Sequence, residues 1–292
     1  MMQLNVTPLN AKAMLVKLTV RRANLTRRDT AAESYVQNQL DDTSLVVNSK
    51  LFRDKHNPVN QLVSKVGEVY TYHKNHTLAY ADKGPRLLPN VQYMDYSAGM
   101  RNLIASVDSI KVQLMPNYDK YVQLDIQQRS LSPNSRAKLE DYPTADQFEA
   151  SMGFELKFMP LPDASHFLFD INAEDKAAFV EMMGQVEQGA RNETIKMMLE
   201  PLGHLVEKLN KPIGTEGSIF RESAVDNIVD NINRARKLNV SDDPEVTQMI
   251  DTLSAAVNVY TGTNVLRESP IVREQAAKKL DYIAKQMGAL YR

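Results

Sequence analysis

Alternation of apolar and polar positions divides the chain into a mixed first half and a helical second half. Met14-Leu15-Val16-Lys17-Leu18-Thr19-Val20 is β-branched and apolar and turns polar at Arg21, which predicts a strand of about five to seven residues. Ser44 to Phe52, with Leu45-Val46-Val47 and Leu51-Phe52, predicts a second strand or strand pair. Thr30 to Leu40 between them reads as a short helix or loop. Asn57-Pro58 supplies a cap-like Asn and a Pro at a first helical position. Val59, Leu62, Val63, Val66, Val69 and Tyr70 then recur at three- and four-residue steps. Gly84-Pro85 and Pro89 interrupt the pattern. Helical rhythm resumes from Tyr93 to Leu114, before Pro116, and a further helix is predicted from about Tyr118 to Arg129.

Ser130 to Pro143, with Ser132-Pro133-Asn134-Ser135, is the best internal linker, and Thr144 to Ser151 reads as a short helix. Phe154-Glu155-Leu156-Lys157-Phe158 alternates as a half-buried strand does and is ended by Pro160 and Pro162, with Phe167 to Ile171 as a possible hairpin partner. From Glu174 onward, Ala178 to Val186, Ile195 to Leu209, Ala224 to Ala235, Val246 to Val259 and Val272 to Leu290 carry helical spacing. They are separated by Pro201, Lys211-Pro212-Ile213-Gly214, Asp242-Asp243-Pro244 and Gly262. The expected class is α+β. Residues near 13–20, 44–52, 154–160 and 167–171 form one small mixed or antiparallel sheet with a helical insertion, within an α+β domain over 1–172. Residues 173–292 form a helical bundle, separate or packed on the same core.

Composition adds exclusions. With 43% hydrophobic and 24% charged residues among 292, the chain has enough apolar material to fold. It has no Cys, which removes disulfides, thiol nucleophiles and cysteine-ligated zinc or iron–sulfur sites. No apolar run reaches the length of a membrane span, and Met1 to Asn10 lacks a signal-peptide pattern. A cytoplasmic location, the host cytoplasm for a viral protein, and no membrane association are therefore expected.

The net charge of −1 hides an asymmetry: residues 1–90 hold 13 Lys and Arg against 7 Asp and Glu. Lys17, Arg21, Arg22, Arg27 and Arg28 form a cluster with no acid among residues 17–28, a candidate contact for phosphate that competes with a plain solvated strand end. Tyr70, Tyr72 and Tyr80, followed by Tyr93 and Tyr96 and interleaved with Lys74, Lys83 and Arg86, could stack on bases. The competing reading is an amphipathic helix whose tyrosines pack on its neighbours.

Other chemistry is weakly signalled. His73 and His76 share a helical face, but neither a Cys nor an HExxH motif completes a metal site. Glu155 and Lys157, with Asp141 and Asp146 upstream, have the residue types of a metal-dependent nuclease, although Asp146 falls on a helical segment where a neighbouring strand is needed. Gly214-Thr215-Glu216-Gly217 matches no phosphate-binding fingerprint, and no GxSxG elbow is present. No catalytic residue, metal ligand or cofactor is assigned.

Leu15-Val16-Lys17-Leu18, Arg86-Leu87-Leu88-Pro89, Phe220-Arg221-Glu222-Ser223 with Asn227, Leu238-Asn239-Val240-Ser241-Asp242-Asp243-Pro244 and the closing helix with Arg273 span most of the chain. Together they resemble a poorly characterised family of phage and bacterial proteins encoded beside a MoxR-type AAA+ ATPase and a von Willebrand A-domain partner. The resemblance implies an ATPase-associated or nucleic-acid-associated role, without a motif that performs either. The expected function is a non-enzymatic interaction protein in a phage-type replication or ATPase-associated complex. The alternatives are a single-stranded nucleic-acid-binding protein and a metal-dependent nuclease.

Overall fold

The computed structural model describes residues 9–80, 84–131, 138–162, 172–211, 223–261 and 265–291. In chain order it contains α1 (Leu9–Lys12), β1 (Ala13–Arg21), β2 (Thr26–Arg28), α2 (Thr30–Leu40), β3 (Asn48–Lys50), α3 (Pro58–Asn75), β4 (Leu78–Ala79) and β5 (Arg86–Pro89). There follow α4 (Tyr93–Leu114), α5 (Tyr118–Ser130), α6 (Ala145–Ala150), β6 (Gly153–Met159), α7 (Ala173–Asn210), α8 (Ser223–Leu238), α9 (Pro244–Asn258), α10 (Val265–Glu268) and α11 (Pro270–Leu290). The fold is α+β, with a small four-stranded sheet in order β4-β5-β1-β6 and a helical C-terminal region. β5 runs antiparallel to both β1 and β4, placing Leu87 opposite Leu15 and Leu78.

Two compact units emerge. One comprises residues up to Lys17, Lys74–Tyr96 and Lys157 onward; the other comprises Leu18–His73 and Ser97–Leu156. In the first unit, Ile195, Met198, Leu202 and Leu205 of α7 are buried in one core with Ile228 and Ile232 of α8, Ile250 and Leu253 of α9, and Leu280 and Met287 of α11. Burial of side chains of this size contributes about 1.5–3 kcal/mol each. A smaller core joins Leu15, Leu78 and Leu87 of the sheet to Ala190 of α7 and to Leu238 and Val240. Two buried arginines tie the helix ends. Arg191 donates to Asp243 (2.5 Å), the N-cap of α9, and to the Leu290 carbonyl of α11, while Arg273 donates to the last carbonyls of α7, Lys208 (2.5 Å) and Leu209 (3.0 Å). Guanidinium groups suit this task because their five donors can satisfy helix-end carbonyls and carboxylates together.

The second unit is built on aromatic packing. The rings of Tyr118 and Phe148 stack at 4.8 Å, and Phe52 meets Tyr142 edge-on at 5.2 Å. Asp125, 2% exposed, accepts from the backbone N–H of Phe52 (2.9 Å) and of Arg53 (3.0 Å), from Arg129 Nε (2.8 Å) and from the Tyr142 hydroxyl (2.6 Å). This network holds Phe52 in a left-handed turn, φ 51°, a conformation that costs a bulky residue about 1–3 kcal/mol unless its surroundings enforce it.

Three expectations require correction. The 44–52 segment does not join the main sheet: only Asn48–Lys50 is extended, and it pairs antiparallel with β2 in a separate two-stranded sheet. Between the interruptions read at Gly84-Pro85 and Pro89, Arg86–Pro89 forms a strand that was not expected, because Leu87 and Leu88 are buried and Pro89 stands at the strand end, opposite Ala13. The segments 178–186 and 195–209 are one helix of 38 residues that runs through Pro201. The buried face on both sides of that proline, Met198 and Leu202 included, outweighs the lost backbone hydrogen bond. The strand expected at 154–160 is β6, whereas the suggested partner at 167–171 and the Ser132–Ser135 part of the linker lie outside the described residues.

Candidate nucleic-acid interface

The second unit contains a concavity of about 770 Å³ at the foot of α3. One wall is the chain from Arg22 to Thr26, where Ala23 and Leu25 are buried and Arg22, Asn24 and Thr26 are exposed. The alternation is that of an extended segment lying on a core. Asn24 Oδ1 accepts from both the Thr26 N–H (3.1 Å) and the Thr26 hydroxyl (2.7 Å), which fixes the turn into β2. The second wall is Lys50, which lies opposite Thr26 in the two-stranded sheet.

Beyond the Phe52 turn, Asp54 Oδ1 accepts the His56 N–H (2.9 Å) and the Asn60 amide donates to the Asp54 carbonyl (2.7 Å), so that Lys55 is carried on a pinned loop. Asn57 then caps α3 through the Val59 N–H (2.9 Å), with Pro58 at the first helical position as the sequence predicts. Asn60, Val63 and Ser64 of α3 complete the lining.

The electrostatics are one-sided. Arg22, Lys50 and Lys55 are exposed and line the concavity, and among the described residues no carboxylate lines it. Asn24, Thr26, Asn60 and Ser64 add polar groups suited to phosphate oxygens or bases. Val63, Gly67 and Tyr70 follow at four and three residues on one face of α3, about 10 Å from first to last at 1.5 Å per residue. A Cβ at Gly67 would meet nothing within 4 Å, and Tyr70 is 51% exposed. A cationic hollow is thus continued by an open helix face that ends in an accessible aromatic ring.

The structure divides the residues that the sequence grouped together. Arg22 lines the hollow and Tyr70 stands on the α3 face that leads from it. Arg27 is ion-paired to Asp29 (3.4 Å) and Asp141 (3.3 Å), and Arg28 to Glu33 (2.6 Å). Hydrogen bonds from the Arg28 guanidinium, with smaller help from the Val47 N–H and the Arg28 charge, hold the Glu33 carboxyl below the usual glutamate range against the effect of burial. Arg21 lies over Gly153, where an added Cβ would come 2.8 Å from its guanidinium. Tyr72 occupies the space left by Gly99 of α4, with its hydroxyl 2.0 Å from where a Cβ would be. Lys17, exposed on β1, and Tyr80, half-buried against the sheet and α7 core, belong to the first unit. Lys50 and Lys55 were missed as site residues, although Lys50-Leu51-Phe52-Arg53-Asp54-Lys55-His56 carries three cations and one acid.

Among the described residues no three His, Asp or Glu side chains gather to hold a metal ion. Glu155 and Lys157 are exposed on β6 and Asp146 is exposed on α6, while Asp141 is engaged by Arg27 and by the Lys138 N–H. His73 is buried and His76 half-buried near the end of α3. Among the described residues no helix is long and apolar enough to cross a membrane. No family model, no curated protein and no solved structure matches the chain.

Proposed function

We propose that the second unit binds single-stranded nucleic acid, with Arg22, Lys50 and Lys55 on the phosphates and Tyr70 stacked on a base. The observation that supports this reading is three cations around one concavity whose lining, among the described residues, holds no carboxylate. Such a lining attracts a polyanion without sequence preference, and an exposed ring accepts the face of any base. The span from Val63 to Tyr70 matches about three base steps of 3.4 Å.

Fluorescence anisotropy of the full chain with a labelled oligothymidine tests the stacking contact. Tyr70→Ala should weaken binding by about 1–3 kcal/mol and leave its salt dependence unchanged, and Tyr70→Phe should restore most of the affinity. Equal affinities for the parent and Tyr70→Ala would remove Tyr70 from the site.

A second reading, docking to a MoxR-type ATPase, draws on Val91 and Met94. They are 84% and 70% exposed and stand three residues apart in the first unit, Val91 in the turn just before α4 and Met94 in the first turn of α4. Exposed apolar neighbours of this kind suit a protein contact. Co-elution of the full chain with the purified ATPase, lost in Val91→Asp with Met94→Asp, would support it, and separate elution of the unsubstituted proteins would dismiss it.

A further inference from the structure

The first unit has its own cavity, a groove of about 1380 Å³ lined by α7, α8 and the β4–β5 edge. Arg234 stands in its wall and also lines an adjoining hollow of about 430 Å³. It follows Asn227 and Asn231 at seven and three residues on one stripe of α8, and all three face both hollows. Its Nη1 reaches Asn231 Oδ1 at 3.3 Å, while its Nε is buried with no hydrogen-bond partner among the described residues. The carboxylate that acts on it through space, Glu193, is already held by Arg86 Nη2 (3.0 Å) and by the Ala79 N–H. Burial makes the Arg234 guanidinium easier to deprotonate than usual, and Glu193 only partly opposes this.

Among the described residues no carboxylate pairs with Arg234, although Asp230, four residues before it on α8, lines the smaller hollow; a half-buried cation with an unfilled donor is costly unless a ligand supplies the counter-charge. Of the other charges lining the groove, Arg86 pairs with Glu193 (3.0 Å) and Lys196 with Glu200 (3.4 Å), so that Lys208 and Lys74 add net positive charge, and His204 lies one turn before Lys208. The fork of a guanidinium matches two oxygens of a phosphate group, and side-chain amides such as those of Asn227 and Asn231 suit the neutral remainder of a ligand.

We propose that this groove binds a phosphate-bearing small molecule, with Arg234 as its main anchor and Lys208 as a supporting charge. The proposal does not rest on the nucleic-acid reading, which concerns the other unit. Isothermal titration and thermal melting of the full chain with tripolyphosphate test it. Saturable binding that raises the Tm is expected, weakened at least 30-fold by Arg234→Met and about 10-fold by Arg234→Lys, which keeps the charge and loses the fork. Without the probe, Arg234→Met should melt higher than the parent, because it removes an uncompensated charge and keeps the volume.

A merely structural Arg234 would show the reverse: a lower Tm for Arg234→Met and an unchanged tripolyphosphate isotherm, and either result overturns the proposal. Absence of saturable binding does so too. Arg22→Ala with Lys55→Ala should leave tripolyphosphate binding intact; its loss would place the bound phosphate in the second unit and overturn the assignment. Oligothymidine affinity should be insensitive to Arg234→Met. If that variant instead loses the oligonucleotide, the groove serves a polynucleotide backbone, and the small-molecule proposal fails.

Discussion

Replacing Asp125 by Ala should destabilise the second unit by about 3–5 kcal/mol, the cost of leaving one half of a buried ion pair uncompensated. Arg129 would remain buried without its carboxylate, and the Phe52 and Arg53 N–H groups and the Tyr142 hydroxyl would lose their acceptor. Asp125→Asn should cost nearly as much despite its shape. Both carboxylate oxygens accept hydrogen bonds, so an amide must turn an NH₂ against a donor. Urea denaturation followed by near-ultraviolet circular dichroism reads the effect through Tyr118 and Tyr142, and a loss below about 1 kcal/mol would show the network to be dispensable.

The same network carries a pH dependence of known sign. Burial pushes the Asp125 carboxyl up, but hydrogen bonds from Tyr142, Arg129 and the Arg53 backbone, with the Arg129 charge, leave it below the ordinary aspartate value of 3.8. Asp243 behaves alike: burial raises it, and Arg191 and the N–H groups of Glu245 and Val246 bring it lower. A group depressed in the folded state binds its proton more readily when unfolded, so its stabilisation is complete at neutral pH. That stabilisation should fall away as pH drops from the unfolded aspartate value near 3.8 through the lower folded one. Asp125→Asn should remove the Asp125 share of the acid sensitivity.

What the sequence made legible follows the range of the forces involved. Helices were readable where periodicity and caps agree: Asn57-Pro58 opens α3, and Asp243 accepts the Glu245 N–H (2.8 Å) ahead of α9. Pro201 misled because its helix-breaking tendency is local, whereas the apolar face that overrides it is completed by α8, α9 and α11. Arg86–Pro89 was invisible as a strand because four residues carry no alternation; Leu87 becomes a strand residue only through Leu15 and Leu78 beside it.

The candidate site shows the same division. A basic cluster at residues 17–28 could be seen, but not that Arg27 is neutralised by Asp141, 114 positions away. Nor did spacing reveal that Lys50 and Lys55 would be swung beside Arg22, since this depends on the pairing of Thr26 with Lys50 and on the Phe52 turn that Asp125 pins. Tyr70 and Tyr72 are two residues apart in sequence, yet one ring is half exposed and the other fills the space above Gly99.

The second large effect concerns the cationic hollow itself. For single strands the logarithm of affinity falls with the logarithm of salt at a slope of about −0.7 for each phosphate neutralised. Three contacts through Arg22, Lys50 and Lys55 therefore contribute about −2. Extrapolated from 1 M to 50 mM salt, that slope is worth roughly 500-fold in affinity, or about 3.7 kcal/mol. The most direct measurement is an anisotropy titration of oligothymidine from 50 to 200 mM salt, comparing the full-length parent with the Arg22→Ala, Lys50→Ala, Lys55→Ala triple variant. All three side chains are exposed, so the variant should fold as the parent does, checked by an unchanged Tm. The expected result is a salt slope shallower by about 2 and a loss of two to three orders of magnitude in affinity at 50 mM salt. Equal slopes and affinities for the two proteins, or no binding by the parent at 50 mM, would contradict the assignment of the hollow to nucleic acid.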